Sequence, residues 1–253
     1  MDSVAFDIIL AQGTMMHVIF RFVMTTALLF LPIISPAAGG PPVAVKEVVA
    51  TLEQGYATIA DLQADFAQRT TIASMNREER GAGELSLKKS SGGAMFRFNY
   101  KKPRQQIISN GKTVWYWLPE NHQVMVSDAA TLFEGGNGIA LNYLTGLGHI
   151  STDFTANFAT ESRDKKGDYV LDLVPKKATP VMAKLRLTVS AGAVADFIAG
   201  KKPVNPFPVV SSVVFDQLGN KTRIDFSNIR INRGLESARF TFKVPAGVEV
   251  IKQ

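Results

Sequence analysis

Cysteine is absent from the 253 residues of this chain, and its absence excludes several kinds of chemistry. Without thiols the chain forms no disulfides, binds no metal through thiolates and has no cysteine nucleophile. A lipid anchor of the kind that is attached to an N-terminal cysteine is excluded for the same reason. Any function must therefore rest on other side chains.

Histidine is scarce too, with three residues in the whole chain. Two of them follow residue 37: His122 lies in a Pro-Glu-Asn-His turn and His149 in a glycine-rich stretch. Neither has a partner at ligand spacing, and no Gly-x-Ser-x-Gly motif is present. We predict no metal, no cofactor and no enzymatic activity. A hydrolase that uses one of these histidines is a distant alternative, and carboxylate pairs that meet only in the folded chain stay open.

One long hydrophobic run is present, at residues 22–34, with Arg21 before it and Ser-Pro-Ala-Ala after it. It is shorter than the roughly 20 residues that a membrane-spanning helix needs, and its flanks are typical of a secretory signal. We predict a signal peptide over residues 1–37 and an exported domain over 38–253. Translation from Met15 or Met16 would make residues 1–14 a mis-assigned extension, and an uncleaved membrane anchor is the alternative.

The charge balance is basic, with a formal net charge of +6. Basic chains often bind nucleic acid, but export argues against that partner. The lysines occur in pairs near turns or strand ends, at 88–89, 101–102, 165–166, 176–177 and 201–202. We interpret them as a solvated rim; attraction to an anionic membrane or an acidic partner is the alternative.

After the hydrophobic run the sequence changes from a helical period to alternation. Residues 43–56 place Val45, Val48, Val49, Leu52 and Tyr56 on one face of an amphipathic helix. From residue 61 the period is two, which predicts strands with one buried face. These strand patterns cover 61–72, 83–89, 94–100, 105–109, 112–118, 123–127, 153–162, 168–176, 182–190, 209–217 and 221–231.

Two segments interrupt this alternation, and the chain closes on a short one. Residues 128–149 are apolar and broken by glycines, which predicts one or two short helices. Three prolines make residues 192–208 the expected long loop. Phe240, Phe242 and Val244 alternate again before Pro245.

The stretch 109–118, SNGKTVWYWL, admits two readings. A phosphate-binding loop needs a glycine five residues before Gly111, where the chain has Gln106, and a helix after the loop. Asn110-Gly111 between two alternating runs instead indicates a β-hairpin with a type I′ turn. Trp115 and Trp117 then share one face of the strand and Tyr116 lies on the other.

About eleven strands in hairpin order predict one α+β domain that is mainly antiparallel β. A meander of that length must curl or close. Its aromatic side chains fill a core, and part of the set is available to line a cavity for an apolar ligand.

The order of several segments resembles the LolA family of periplasmic lipoprotein carriers. The segments are Phe66-Ala67-Gln68, Gly83-Glu84-Leu85, Phe96 to Tyr100, Pro103, Ser109 to Tyr116, Pro119, Gln123-Val124 and Ala238 to Val248. The resemblance implies an incomplete, half-open β-barrel covered by short helices. It also implies a monomeric carrier that takes lipoproteins from an inner-membrane ABC transporter and delivers them to an outer-membrane receptor, LolB. Because LolB is itself a lipoprotein, the missing cysteine favours the soluble carrier.

The resemblance also implies where acyl chains bind. The expected cavity residues are Leu62, Phe66, Leu85, Leu87, Phe96, Phe98, Tyr100, Trp115 and Trp117 on the sheet, with Ile139, Leu141 and Leu144 on the helical lid. Family members tie the lid with an arginine; here Lys88-Lys89-Ser90 matches that place, so Lys89 is the candidate tether. A carrier of another lipid or glycolipid, or a sensor domain of the same fold, is the alternative.

Overall fold

The computed structural model describes residues 42–90, 95–129, 149–178, 182–201 and 206–252. The predicted signal peptide lies outside these ranges, as do the predicted lid residues Ile139, Leu141 and Leu144. The described chain from residue 42 onward forms one sheet with three helices on one of its faces.

Twelve strands form this sheet in the described residues. They are β1 Asp61–Ile72, β2 Arg77–Lys88, β3 Met95–Lys102, β4 Gln105–Asn110, β5 Thr113–Leu118, β6 Gln123–Asp128, β7 Phe154–Arg163, β8 Tyr169–Pro175, β9 Lys184–Val189, β10 Val209–Phe215, β11 Lys221–Ile231 and β12 Glu249–Lys252. Each of the first eleven overlaps one of the predicted strand segments, because alternation over several residues is a strong strand signal.

The strand order is β12-β6-β5-β4-β3-β2-β1-β11-β10-β9-β8-β7. All neighbours are antiparallel except β12, which pairs with β6 in parallel. The sheet is not closed, because β12 and β7 are its two edges. The predicted fold class, a mainly antiparallel and incomplete barrel covered by short helices, is confirmed, with one strand more than expected.

The helices are α1 Val45–Ala57, α2 Ile150–Asp153 and α3 Ala191–Ile198. In α1 the predicted apolar face is buried, and the Glu47 carboxylate accepts a hydrogen bond from the Ala44 amide at 2.6 Å, which fixes the first turn. The prediction of a loop over 192–208 was wrong in its first half. Ser190 caps α3 by accepting from the Ala193 amide at 3.3 Å, a signal that the prolines obscured.

The Asn110-Gly111 hairpin is present, but its turn differs from the prediction. Gly111 has φ +89° whereas Asn110 does not have a positive φ, so the turn is not type I′. The Asn110 side chain instead accepts from the amides of Lys112 and Thr113 at 2.9 and 2.8 Å. Asparagine therefore makes this turn through its side chain rather than through a left-handed backbone.

The C-terminal residues cross the sheet before they join it. The alternation of Phe240 and Phe242 does not form a strand: Phe240 ends a short 3-10 turn, Ser237–Phe240, and an irregular segment leads to β12. We call residues 233–248 the strap. Other 3-10 turns lie at Ala73–Met75 and Pro119–Asn121.

Candidate functional site

The three strands β1, β2 and β3 carry a continuous apolar wall. Register places Leu62 opposite Leu87 and Leu87 opposite Phe96, while Leu85 lies opposite Phe98. Because directly opposed residues share a face, these side chains point to the same side. We call Leu62, Phe66, Leu85, Leu87, Phe96 and Phe98 the inner wall; each is at most 7% exposed.

The rings of the inner wall contact one another closely. Phe66 lies 5.4 Å from Phe98 and 4.8 Å from Tyr100 between ring centroids, both in edge-on geometry, the arrangement that aromatic pairs prefer. Tyr100 is partly exposed and donates to Gln68 Oε1 at 2.7 Å. Burial raises the pKa of Tyr100 far above its usual value, so the ring stays neutral and the wall carries no charge there.

Helix α1 lies on the same side of the sheet as the inner wall. Its residues Val48, Val49, Leu52 and Tyr56 are buried in the same hydrophobic cluster as the wall. We call this side of the sheet the inner face and the other side the outer face.

The inner face continues across the other half of the sheet, which the sequence prediction of the cavity missed. Its residues there are Phe226 opposite Phe66, then Ile224, Leu187, Leu171, Leu185 and Leu173 on β11, β9 and β8. All belong to the same cluster, as does Phe207. Their alternation was visible in the sequence, but nothing local showed that these strands face the same helix.

The prediction that Trp115 and Trp117 line this cavity was wrong. They lie opposite Ile108 and Gln106 on β4, which are on the outer face, whereas Tyr116 lies opposite the inner-face residue Ile107. Successive strand residues point to opposite faces, so the two tryptophans cannot join Phe98.

The strap explains why tryptophans occupy the outer face. Phe242 lies 6.3 Å from Trp115 and 5.6 Å from Trp117 between ring centroids. Phe240 is 0% exposed, as are Ile108 and Val124 beneath it on this face. The strap therefore builds a second, smaller core on the outer side of the sheet.

Lys89 contacts the end of the covering helix. Its Nζ donates to the backbone carbonyl of Tyr56, and its amide donates to the Ala60 carbonyl at 2.9 Å. A cation near the last turn of a helix is favourable, because unpaired carbonyls there carry negative charge. Burial lowers the pKa of Lys89. The residue thus joins the end of β2 to the end of α1.

The same junction is reinforced from β11. Asn232 donates through Nδ2 to the Thr58 carbonyl at 2.9 Å and accepts from the Ala60 amide at 2.7 Å. Asp61 accepts from three strap amides, those of residues 233, 234 and 235, at 2.8–3.2 Å. The connection between α1 and β1 is therefore fixed by directional hydrogen bonds.

The body of α1 is held differently. Glu53 accepts a hydrogen bond from the Ser151 amide of α2 at 2.7 Å, and Val48, Val49 and Leu52 are buried in the apolar cluster. A cavity of about 230 Å³ lies between α1 and α3, lined by Gly55, Phe197 and Pro206 among others. It is smaller than the roughly 300–1,000 Å³ of ordinary ligand pockets, and no residue of the inner wall lines it.

The described residues include neither a group of metal-binding side chains nor a helix suited to spanning a membrane. No group of three or more histidine, cysteine or acidic side chains in those ranges is placed to hold a metal ion. His122 and His149 are both exposed. None of the described helices has the length and hydrophobicity needed to span a bilayer.

Comparison with known proteins gives a consistent result. The family described as "Outer membrane lipoprotein carrier protein LolA" matches residues 57–199. Outer-membrane lipoprotein carrier proteins are 30% identical in Pseudomonas aeruginosa PAO1 (76% of this chain, 81% of that one), 31% identical in Chromobacterium violaceum (85% and 92%) and 28% identical in Azotobacter vinelandii (93% and 99%).

Among solved structures, a LolA superfamily protein from Nitrosomonas europaea aligns with a TM-score of 0.42 at 14% identity, over 79% of this chain and 98% of that one. The family match covers more than half of the chain and the sequence relatives cover most of it. The chain is a member of the LolA family of outer membrane lipoprotein carrier proteins.

Proposed function

We propose that this protein is a periplasmic carrier that binds the acyl chains of lipoproteins between α1 and the inner face of the sheet. The observation that carries the proposal is the uncharged inner wall beneath a helix that packs on it through apolar side chains. The names of its relatives, outer-membrane lipoprotein carrier proteins, support the same role. On this account the chain is a carrier and not an enzyme.

Binding requires α1 to move, because the inner wall is almost fully buried. The fixed junction at Thr58–Asp61 serves as a pivot. The apolar contacts of α1 break when the helix moves about it. Burial of Val48, Val49 and Leu52 stabilises the closed form by roughly 1.5–3 kcal/mol each, whereas each acyl methylene contributes about 0.8 kcal/mol. About six to eleven methylenes therefore offset the burial of these three side chains, so one long acyl chain supplies a free energy of that size.

In this proposal Lys89 tethers α1 to the sheet. Its contact with the Tyr56 carbonyl holds the end of α1 at the pivot while the rest of the helix lifts. The ligand-binding residues are those of the inner wall and Tyr100, with Ile139, Leu141 and Leu144 proposed as further cover.

The transfer route of the lipoprotein follows from the free-energy cost of exposing its acyl chains to water. Extracting two or three acyl chains from a bilayer is strongly unfavourable, so a transporter must load the carrier. The resemblance to the family implies that this is an inner-membrane ABC transporter and that the lipoprotein passes to an outer-membrane receptor of the LolB type where one exists. Residues 1–37 are the signal peptide that exports the domain over 38–253, which acts as a monomer without nucleic acid.

The experiment is to purify the protein from the periplasm and to identify what co-purifies by mass spectrometry. Triacylated lipoprotein is the expected cargo. A free lipid or glycolipid would show a carrier of another class, and a protein without acyl chains would show an interaction domain. Either result would replace the proposal.

A reversible crosslink between α1 and α2 tests whether α1 must move for lipoprotein to bind. Because the chain has no cysteine, Glu53→Cys with Ser151→Cys can be joined, α1 to α2, by one bis-maleimide crosslinker that contains a reducible disulfide. The locked protein should take up no lipoprotein and should regain uptake after reduction. The two single-cysteine variants, treated in the same way, are the controls. Full uptake by the locked protein would contradict the proposed movement.

A further inference from the structure

Two hairpin turns meet at the end of the sheet that lies opposite the α1 pivot. One is the 3-10 turn Ala73–Met75 between β1 and β2, and the other is the turn over 216–220 between β10 and β11. The Ala73 amide donates to Asn220 Oδ1 at 2.9 Å, and pairing of β1 with β11 continues up to Thr71 and Lys221. The two turns therefore form one projecting unit, which we call the tip.

The tip carries two exposed hydrophobic side chains. Leu218 is 81% exposed and Met75 is 64% exposed, more than any other large hydrophobic residue that the structure describes. Neither contributes to the core, and single exposed apolar residues are common. Here, however, the two most exposed ones lie on turns that are hydrogen-bonded to each other.

Basic side chains surround the tip. Residues 67–84, 101–104 and 216–225, which form the two turns, the strand segments next to them and the adjacent β3–β4 turn, include eight basic residues and five acidic ones. The basic set is Arg69, Arg77, Arg80, Lys101, Lys102, Arg104, Lys221 and Arg223, and the acidic set is Glu78, Glu79, Glu84, Asp216 and Asp225. The β3–β4 turn belongs to this surface because Lys102 lies opposite Ala82 and lines one cavity with Arg80.

The ion pairs within this surface are exposed and exchangeable. Arg80 pairs with Glu78 at 2.7 Å, but its side chain is 73% exposed; Arg77 pairs with Glu79 and is 58% exposed. Exposed pairs of this kind contribute little stability. The guanidinium groups can therefore turn to phosphate oxygens without a large loss in the protein.

We propose that the tip is a membrane-docking device that inserts Met75 and Leu218 into the interfacial layer of an anionic bilayer, with the surrounding arginine and lysine side chains on lipid phosphates. Flexible apolar side chains beside basic residues suit an interface that is fluid and negatively charged. A protein partner would need a broader packed patch than two isolated side chains.

The proposal goes beyond the carrier function, because docking needs no cargo. β1 spans 12 residues from the pivot to the tip, which at about 3.3 Å per residue is roughly 40 Å. Docking at the tip therefore holds the α1 pivot at the far end of the sheet from the bilayer surface.

The test measures co-flotation of the protein, purified from the periplasm, with vesicles that contain phosphatidylglycerol and phosphatidylethanolamine. We expect binding that weakens with salt and is at least tenfold weaker for Met75→Ser/Leu218→Ser. Ile198→Ser, which removes a 47% exposed apolar residue on α3, is the matched control and should bind normally. Vesicles of phosphatidylcholine should bind the wild type weakly.

A site-specific probe adds a second reading. Leu218→Cys would carry the only thiol, so an environment-sensitive dye placed there should shift its emission to the blue with anionic vesicles, whereas the same dye at Ile198→Cys should not. Absence of flotation of the wild type, or equal flotation of the double serine variant, would overturn the proposal. Normal cargo binding in either case would leave the carrier function standing.

Discussion

The inner and outer faces of this sheet both bury aromatic residues, but their covers are attached in different ways. The inner wall lies under α1, whose helical body contacts it through apolar side chains. The outer aromatic core lies under the strap, which is held by Arg97 to the Arg239 carbonyl at 3.1 Å, by Arg239 to Ser86 at 2.9 Å and by the pairing of β12 with β6. Apolar contacts can be exchanged for acyl chains, whereas a set of directional hydrogen bonds cannot.

Hydrophobicity alone therefore does not locate a binding face. Phe98 and Phe240 are equally buried, at 2% and 0% exposure. What separates the two faces is how the cover is attached to the sheet: the strap is hydrogen-bonded to it at several points, and α1 is hydrogen-bonded to it at its C-terminal end.

The largest effect should come from truncating one buried ring on each face. Phe98→Ala and Phe240→Ala should each lower the free energy of unfolding by about 3–5 kcal/mol, because each leaves a cavity in a packed core. Urea unfolding measures both. At temperatures where both variants are folded, Phe98→Ala should bind less lipoprotein and Phe240→Ala should bind as much as the wild type. Equal loss of binding in the two variants would show that the two faces do not differ in lipoprotein binding.

A smaller effect is expected from adding one methyl group under α1. A Cβ at Gly55 would lie 2.4 Å from the Pro206 carbonyl oxygen, so Gly55→Ala pushes α1 away from the segment beneath α3. We expect a loss of about 1–3 kcal/mol, typical of overpacking, with increased binding of a fluorescent apolar dye. Gly200→Ala, where nothing lies within 4 Å of the added Cβ but φ is +67°, is the control: it should lose stability without binding more dye.

Removing the tether should have a modest effect. Lys89→Ala eliminates the contact with the Tyr56 carbonyl, and because the side chain is exposed we expect a loss of only about 1 kcal/mol. Dye binding should rise, and Lys89→Arg should restore the wild-type level. If Lys89→Ala and the wild type bind dye equally, the tether role is contradicted.

The smallest effect concerns the part of the outer face that the strap does not cover. Hydrogen bonds from Arg186 and Lys184 lower the pKa of Asp172. Since its folded pKa lies below its unfolded value of about 3.9, its contribution is present at neutral pH and is lost as the pH falls through the folded pKa.

Asp172→Asn should therefore cost about 1 kcal/mol at pH 7, after allowance for partial exposure, and the difference from the wild type should shrink as the pH falls below about 4. Unfolding measured across this pH range is the check. A difference that stays constant with pH would show that the carboxylate charge does not matter.

Alternation in the sequence predicted the strands and the inner wall well, for a physical reason. On their own strands Leu62, Leu85 and Phe98 each alternate with polar neighbours, which predicts that one face of each strand is buried. The same reasoning failed for Trp115 and Trp117, because the strap buries the opposite face too. The strap lies more than one hundred residues from β5 along the chain and buries the outer face of that strand. No local pattern in β5 indicates this.

One further element escaped prediction for a similar reason. β12 has only four residues and pairs in parallel with a distant strand, so neither its length nor its neighbours marked it. The contact of Lys89 with the Tyr56 carbonyl joins residues that are separate in sequence, and only the resemblance to a family pointed to it. The sequence predicted β8, β9, β10 and β11 as strands, but it did not show which side chains of these strands lie on the inner face.

The central claim is that acyl chains occupy the inner face and not the outer one. Tyr100 and Trp115 are both partly buried aromatic residues, on β3 and β5, that point to opposite faces. A photo-reactive phenylalanine analogue at each position, irradiated in cells that export lipoproteins, should crosslink to lipoprotein from position 100 and not from position 115. Crosslinking from position 115 alone, or equally from both, would contradict the account.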